Sequence, residues 1–234
     1  MLKIFIGYDA QEPLAYHVLC HSILTRASGP VSFTPLIRSA LTDCYQRQRG
    51  PLESTDFSMT RFLVPHLCKY GDFAIFMDCD MLCQGDIYEA LRVAKEDKEL
   101  RAVWVAKHNY IPSTARKFLN QPQTTYFRKN WSSFMIFRNK FCERLTPLYI
   151  NNAQGLDLHR FAWTTDDAIG ELPLEWNWLV GEYEKNPKAK MLHYTLGGPW
   201  FRDYQFCDHA ELWFKELDLA FPTLNLPKPV EVVG

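Results

Sequence analysis

Asp78 and Asp80, spaced i, i+2, follow five uninterrupted apolar residues at 73–77. A short run of that kind reads as a strand buried on both faces inside a parallel sheet. Ligands of open α/β sheets sit outside the carboxyl ends of the strands, where this acidic pair falls. Two hard oxygen ligands there, beside a phosphorylated substrate, suit Mg²⁺ or Mn²⁺. The competing reading is a solvated turn that happens to be acidic.

Three further groups join the pair. Ile6, Gly7, Tyr8 and Asp9 close the first apolar stretch. A glycine there lets the backbone approach a ligand, and the aromatic and carboxylate suit a base and a ribose. A plain strand-to-helix turn explains the same residues. His193 ends a later apolar run and precedes Gly197, Gly198 and Trp200. It offers imidazole to a metal, and the glycines offer backbone N–H groups to phosphate. A satisfied structural histidine is the alternative. Asp166 and Asp167 follow Trp163, with Trp176, Asn177 and Trp178 downstream. Carboxylates suit sugar hydroxyls and rings suit the apolar sugar face, while Thr165 or Asp166 also fits a helix N-cap.

The elements that must position these groups alternate along the chain. Strands are expected at 2–7, 31–37, 73–77, 102–106, 133–137 and 189–194. Pro13 opens a helix over 13–27, with Leu14, Val18, Leu19 and Ile23 on one face. A short helix over 61–67 is expected to bend at Pro65. Asp86 is the N-cap of a helix over 87–95, and further helices are expected at 141–149 and 210–219. Segments 39–56 and 109–130 read as loops, the second long enough to be functional. The alternation predicts an α/β fold with a mainly parallel, helix-covered central sheet. It forms a single domain over 1–221, followed by an extended tail over 222–234 containing Pro222, Pro227 and Pro229. No internal repeat or linker divides it.

Composition excludes several classes. The 234 residues are 47% hydrophobic, enough for a sizeable core. A net charge of −1 without a basic block gives nucleic acid no electrostatic purchase. The first residues read as a strand and its turn rather than a signal peptide, and no apolar run has transmembrane length. Seven cysteines scattered through apolar segments point to a reducing, cytoplasmic compartment. Cys79 and Cys83 flank Asp80, but no second cysteine pair completes a zinc site. The seven Trp serve either as core filling or as stacking surfaces.

Taken in order from Lys3 to Tyr204, these motifs resemble the family 8 glycosyltransferases of GT-A fold, bacterial members in particular. The resemblance rests on Gly7 to Asp9, Arg61 and Phe62, Asp78 and Asp80, and Asn130 to Ser133 ahead of a strand. It continues through Asp166 and Asp167, Leu172 and Pro173, Trp176 and Asn177, and closes on His193 with Gly197, Pro199 and Trp200. It implies a retaining hexosyltransferase of polysaccharide biosynthesis. Mn²⁺ (or Mg²⁺) would be held by Asp78, Asp80 and His193 and would bridge the diphosphate of a nucleotide sugar, UDP-hexose above all. Gly7, Tyr8 and Asp9 would contact uracil and ribose. Arg61, Cys79, Lys107, Gly197, Gly198 and Trp200 would complete the donor site. Arg61, Asp166 and Asp167 would act at the transferred sugar, near a glycan or glycolipid acceptor that brings peripheral membrane contact. The family is described as attacking from the front face, and no residue here stands out as a nucleophile.

Two departures qualify the carry-over. Asp167 stands where the family has Gln, and Gly198 stands where a lysine usually grips phosphate. Phosphate charge then falls to the metal, to backbone N–H groups, or to a cation such as Lys107 or Arg202. A haloacid-dehalogenase-type phosphohydrolase using Asp78, Asp80, Lys107, Asp166 and Asp167 is the runner-up. A non-catalytic sugar-binding module is the third reading.

Overall fold

The computed structural model describes residues 1–50, 53, 55–114, 116, 117, 119, 121, 122 and 125–223, without the side chains of 121 and 122. From residue 224 on, the expected tail lies outside the described residues, as do 51, 52 and 54 of the expected 39–56 loop. In chain order the strands are β1 Leu2–Gly7, β2 Val31–Leu36, β3 Phe73–Met77, β4 Met81–Cys83, β5 Val103–Ala106 and β6 Arg116–Lys117. They continue as β7 Gln121–Pro122, β8 Phe134–Arg138, β9 Ile169–Leu172, β10 Trp178–Leu179 and β11 Met191–His193. The helices are α1 Pro13–Leu24, α2 Val64–Leu67, α3 Ile87–Glu96, α4 Pro147–Asn152, α5 Gly155–His159 and α6 Ala210–Ala220.

The main sheet has the order β2-β1-β3-β8-β5-β9. Five of its strands run the same way and β8 runs against β3 and β5, so the sheet is mainly parallel, as expected. Its middle is apolar on both faces. Ala74, Ile75, Phe76 and Met77 of β3 are all buried, which explains their unbroken apolar run.

A second, smaller sheet, β10-β11-β4, was not anticipated. Strands of two or three residues carry too little periodicity to announce themselves. β4 and β11 pair antiparallel, with His193 opposite Met81. That register delivers the histidine to the acidic turn.

α1 joins two cores. Leu19 and Ile23 pack on the main sheet, while Val18 and the half-buried Leu14 join a smaller cluster with Trp213 and Leu217 of α6. Glu216 of α6 is buried and anchors the pair, 2.6 Å from His21 Nδ1 and 2.7 Å from Arg26 Nη2.

Local expectations met the structure unevenly. Asp86 caps α3 by accepting from the Tyr88 N–H at 3.0 Å, as expected. The helix expected over 61–67 is not bent at Pro65. A 3₁₀ turn over Thr60–Leu63 leads into α2, where Pro65 sits at the start and no N–H is required of it. The helix expected over 141–149 is replaced by turns and by α4, which begins at Pro147. Thr146 sets that boundary, its Oγ1 accepting from the Tyr149 N–H at 3.1 Å. Segment 109–130 is not uniformly a loop, since β6 and β7 pair within it. Four of the tryptophans, Trp104, Trp163, Trp176 and Trp213, are buried core filling.

Candidate functional site

β3 ends at Met77, and Asp78 and Asp80 occupy the turn into β4. Two backbone hydrogen bonds fix that turn. The Asp78 N–H donates to the Ser133 carbonyl at 2.9 Å, and the Tyr194 N–H donates to the Asp80 carbonyl at 2.9 Å. The second bond ties the acidic turn to the strand end that carries His193. The result is one carboxylate oxygen from each aspartate and one imidazole nitrogen, all within 4.8 Å of one another.

The tautomer of His193 follows from its neighbours. Asn177 is fully buried, and its Nδ2 donates to Ser133 Oγ at 2.9 Å and to the Asn130 carbonyl at 3.2 Å. Its Oδ1 therefore accepts from His193 Nδ1 at 2.9 Å. Nδ1 carries the proton, and Nε2 turns its lone pair toward Asp80 Oδ1, 3.4 Å away. In this neutral tautomer two acceptors face each other in a site nearly closed to water. Asp78 Oδ1 and Asp80 Oδ1 are both inaccessible, the first lying against Arg61 and the second against His193 Nε2. A cation shared by the two carboxylates and the imidazole resolves that contact between acceptors. Two carboxylates and one imidazole fit Mn²⁺ or Mg²⁺.

Arg61 braces the cluster. Its Nε donates to the Ser58 carbonyl at 3.0 Å and its Nη1 to the Ser132 carbonyl at 2.9 Å. Nη1 also lies 2.9 Å from Asp78 Oδ1. Burial still dominates at Asp78 and, with Asp80 pushing the same way against Arg61, raises its pKa to about 6. At Asp80 burial also acts upward, but His193 in its protonated form and Lys117 outweigh it and lower its pKa; the same Nε2 is a metal ligand only without that proton. The two carboxylates thus titrate apart.

The cluster lines a cavity of about 510 Å³ together with Arg61 and Ser133. Lys117, Tyr126 and Lys129 from the 109–130 connection also line it, as do Glu53, Gln154 and His159. His159 is buried so completely that its pKa falls to about 3; it stays neutral and lies 2.7 Å from Ser132 Oγ.

The other expected site residues are placed differently. Gly7 packs closely against the protein: a Cβ there would lie 2.2 Å from the Phe57 ring. Tyr8 stacks edge-on against Tyr16 at 5.5 Å. Asp9 is buried and organises its turn, accepting from the Gln11 N–H at 2.9 Å and the Asp56 N–H at 3.2 Å. Cys79 points into the core, where burial drives its thiol pKa well up. Trp200 donates its indole N–H to buried Glu12 at 3.1 Å, and a Cβ on Gly198 would strike the Trp200 ring at 2.1 Å. Gly197 adopts φ 140°, a left-handed conformation that favours glycine. Lys107 places its ammonium 5.9 Å from the centroid of the Trp131 ring. Asp166 is exposed and paired to Arg128 Nη2 at 2.5 Å, while the Asp167 carbonyl accepts from Arg101. Of the expected set, Arg61, Asp78, Asp80 and His193 line the cavity; Gly7, Tyr8, Asp9, Cys79, Lys107, Asp166, Asp167, Gly197, Gly198 and Trp200 do not.

No family model matches the sequence. Protein CDI of Arabidopsis thaliana is 44% identical over 228 residues, which span 92% of this chain and 86% of that protein. The chain belongs to the family of Protein CDI. That relative is a plant protein and lends the expected bacterial type no support. Among solved structures, the bifunctional glycosyltransferase WbbM superposes with a TM-score of 0.64 at 17% identity, over 92% of this chain and 49% of that one. The galactosyltransferase LgtC, solved with donor and acceptor sugar analogs, gives 0.59 at 11% identity over 97% and 98%. GlyE of Streptococcus pneumoniae TIGR4 gives 0.59 at 12% identity over 92% and 60%. The chain therefore spans about half of WbbM and three fifths of GlyE. At these identities the likeness establishes the fold, an α/β domain of GT-A type.

Within this family member, sequence reasoning missed Lys117, Lys129 and Glu12. The first two lie in a connection without periodicity, where nothing marks which lysine points inward. Glu12 reads as part of the turn before α1. The structure buries it, and burial, Asp80 and Asp9 together raise its pKa well above the usual carboxylate range. The partnership of Asn177 with His193 was equally invisible, although Asn177 itself carried part of the resemblance.

Proposed function

We propose that this protein is a metal-dependent glycosyltransferase that moves a hexose from a nucleotide sugar, UDP-linked, to a hydroxyl of a glycan or glycolipid. The observation that carries this reading is the Asp78, Asp80 and His193 cluster, with inaccessible carboxylate oxygens and an oriented imidazole, lining a large cavity. The GT-A fold and the glycosyltransferase names of its structural neighbours support it. Mn²⁺ or Mg²⁺ held by Asp78, Asp80 and His193 would supply a Lewis acid for charge developing on the leaving diphosphate.

The chain's own residues prepare that chemistry. Asn177 holds the proton on His193 Nδ1 and keeps Nε2 a ligand. Arg61 counters the raised pKa of Asp78 and keeps its carboxylate available near neutral pH. Burial shields Oδ1 of each aspartate from water. Retention of anomeric configuration is part of this reading through the family resemblance. Asp166 and Asp167 act at the acceptor side only if segment 126–130, held to Asp166 through Arg128, reorganises when substrate binds. Seven free thiols and the lack, among the described residues, of a helix long and apolar enough to cross a membrane fit our placement of this activity in the cytoplasm as one domain over 1–221. The phosphohydrolase alternative is weaker, because Lys107, Asp166 and Asp167 lie off the cavity.

Calorimetry of UDP, GDP and CDP, each with and without Mn²⁺, tests the reading on wild type and Asp80→Asn. UDP binding that requires Mn²⁺ and is lost in the variant is expected. Absence of nucleotide binding under every metal condition overturns it.

A further inference from the structure

The lysine missing at Gly198 leaves the donor's phosphates without a cation from the closing motif, and neither Lys107 nor Arg202 lines the cavity. Two other lysines do. Lys117 arrives on the β6–β7 hairpin, where it pairs with Gln121. Lys129 arrives on the turn before β8, its N–H donating to the Tyr126 carbonyl at 3.2 Å and its ammonium 5.5 Å from the centroid of the Tyr126 ring. Both line the same cavity as Asp78, Asp80 and His193.

We propose that Lys117 and Lys129 together form the clamp for the donor's diphosphate, supplied by the 109–130 connection in place of the position occupied by Gly198. The proposal rests on the nucleotide-sugar reading and adds the residues that hold its phosphates.

The argument is one of charge. Burial lowers the pKa of Lys117, while Asp80, Asp78 and Glu12 pull it back up. Burial and the nearby Lys117 lower Lys129 to about 8. Two basic side chains in one partly desolvated cavity favour an anionic occupant. A divalent cation on Asp78 and Asp80 would withdraw two of the three carboxylates that offset Lys117. Cation and lysines would then line one cavity, and a group with at least two negative charges would offset them. A diphosphate does so with oxygens enough for both lysines and the metal. Of the arginines that line the cavity, Arg61 is bonded to Asp78, Ser58 and Ser132 and Arg47 to the carbonyls of Ile150 and Ala153, while Arg160 is exposed.

The test is calorimetry with Mn²⁺ and three probes, UDP, inorganic pyrophosphate and uridine, on wild type, Lys117→Ala, Lys129→Ala and the two Lys→Arg variants. UDP and pyrophosphate affinity should fall at least about tenfold in each alanine variant, the scale of one lost charged hydrogen bond, and recover in the arginine variants. Uridine binding should not change. UDP affinity within about twofold of wild type in both alanine variants overturns the clamp, as does an equal loss for uridine. If wild type binds UDP with Mn²⁺ and the variants are unaffected, the clamp alone fails. If wild type binds no nucleoside diphosphate, the nucleotide-sugar reading fails and the clamp with it. Melting temperatures of each variant separate lost contacts from lost fold.

Discussion

The chain holds two acidic pairs that read alike in sequence and differ in almost every physical respect. Asp78 and Asp80 follow a buried central strand of the main sheet, beside a histidine brought in by a second sheet. Asp166 and Asp167 form a 3₁₀ turn ahead of β9, at the sheet edge. The side chain of Asp166 is 83% exposed and that of Asp78 only 14%. Both pairs hold an arginine, but Arg61 is buried with Asp78, and burial still raises Asp78 to about 6, whereas Arg128 meets an Asp166 open to solvent. Two carboxylates become a metal site when the fold removes water and gathers them with an imidazole.

The largest test of that contrast sets Asp78→Asn against Asp166→Asn. Removing a ligand should weaken Mn²⁺-dependent UDP binding by roughly 100-fold or more, while Asp166→Asn should change it by less than about threefold. Calorimetry decides, and the reverse ranking breaks the comparison.

Next is Asn177→Ala, which removes the hydrogen-bond partner of His193 Nδ1 and no metal ligand. It frees the imidazole to take the wrong tautomer and should cost about 10–100-fold in Mn²⁺ affinity, measured by competition with a metal indicator.

The pH dependence sharpens the contrast further. Because Asp78 titrates near 6 when folded and near 3.8 when unfolded, the metal-free fold binds the extra proton between those values. Its contribution to stability is therefore full below about pH 3.8 and is lost as pH rises through about 6. Metal competes with that proton. The rise in melting temperature produced by Mn²⁺ should be full at pH 7.5 and fade as pH falls through 6, and Arg61→Met should move that fading to higher pH.

Gly7→Ala should lower stability by about 1–3 kcal/mol through overpacking against Phe57, read from urea unfolding. Smallest of all, Asp166→Ala should change stability by no more than about 1 kcal/mol, since an exposed ion pair is all it removes.

What could be read in advance followed burial. Five strands of the main sheet announced themselves through apolar runs, while β9 was missed because Gly170 and Glu171 interrupt its apolar residues. The acidic pair stood out because charge follows that run without transition. Helices near proline and threonine were misplaced, since Thr146 and Pro147 set a boundary that apolar spacing does not register. Gly7 was read as a ligand contact because a glycine at a strand end has two uses, and only the position of Phe57 separates them.

The sequence by itself determined the α/β alternation, the buried central strand and the candidate ligands Asp78, Asp80 and His193. Those follow from local rules of polarity, periodicity and donor chemistry. Tertiary structure alone decided that β4 and β11 pair so that His193 meets Asp80, that Asn177 sets its tautomer, and that Lys117 and Lys129 share its cavity. These depend on register between strands distant in sequence and on which loop residues lose water. No window of neighbouring residues encodes either.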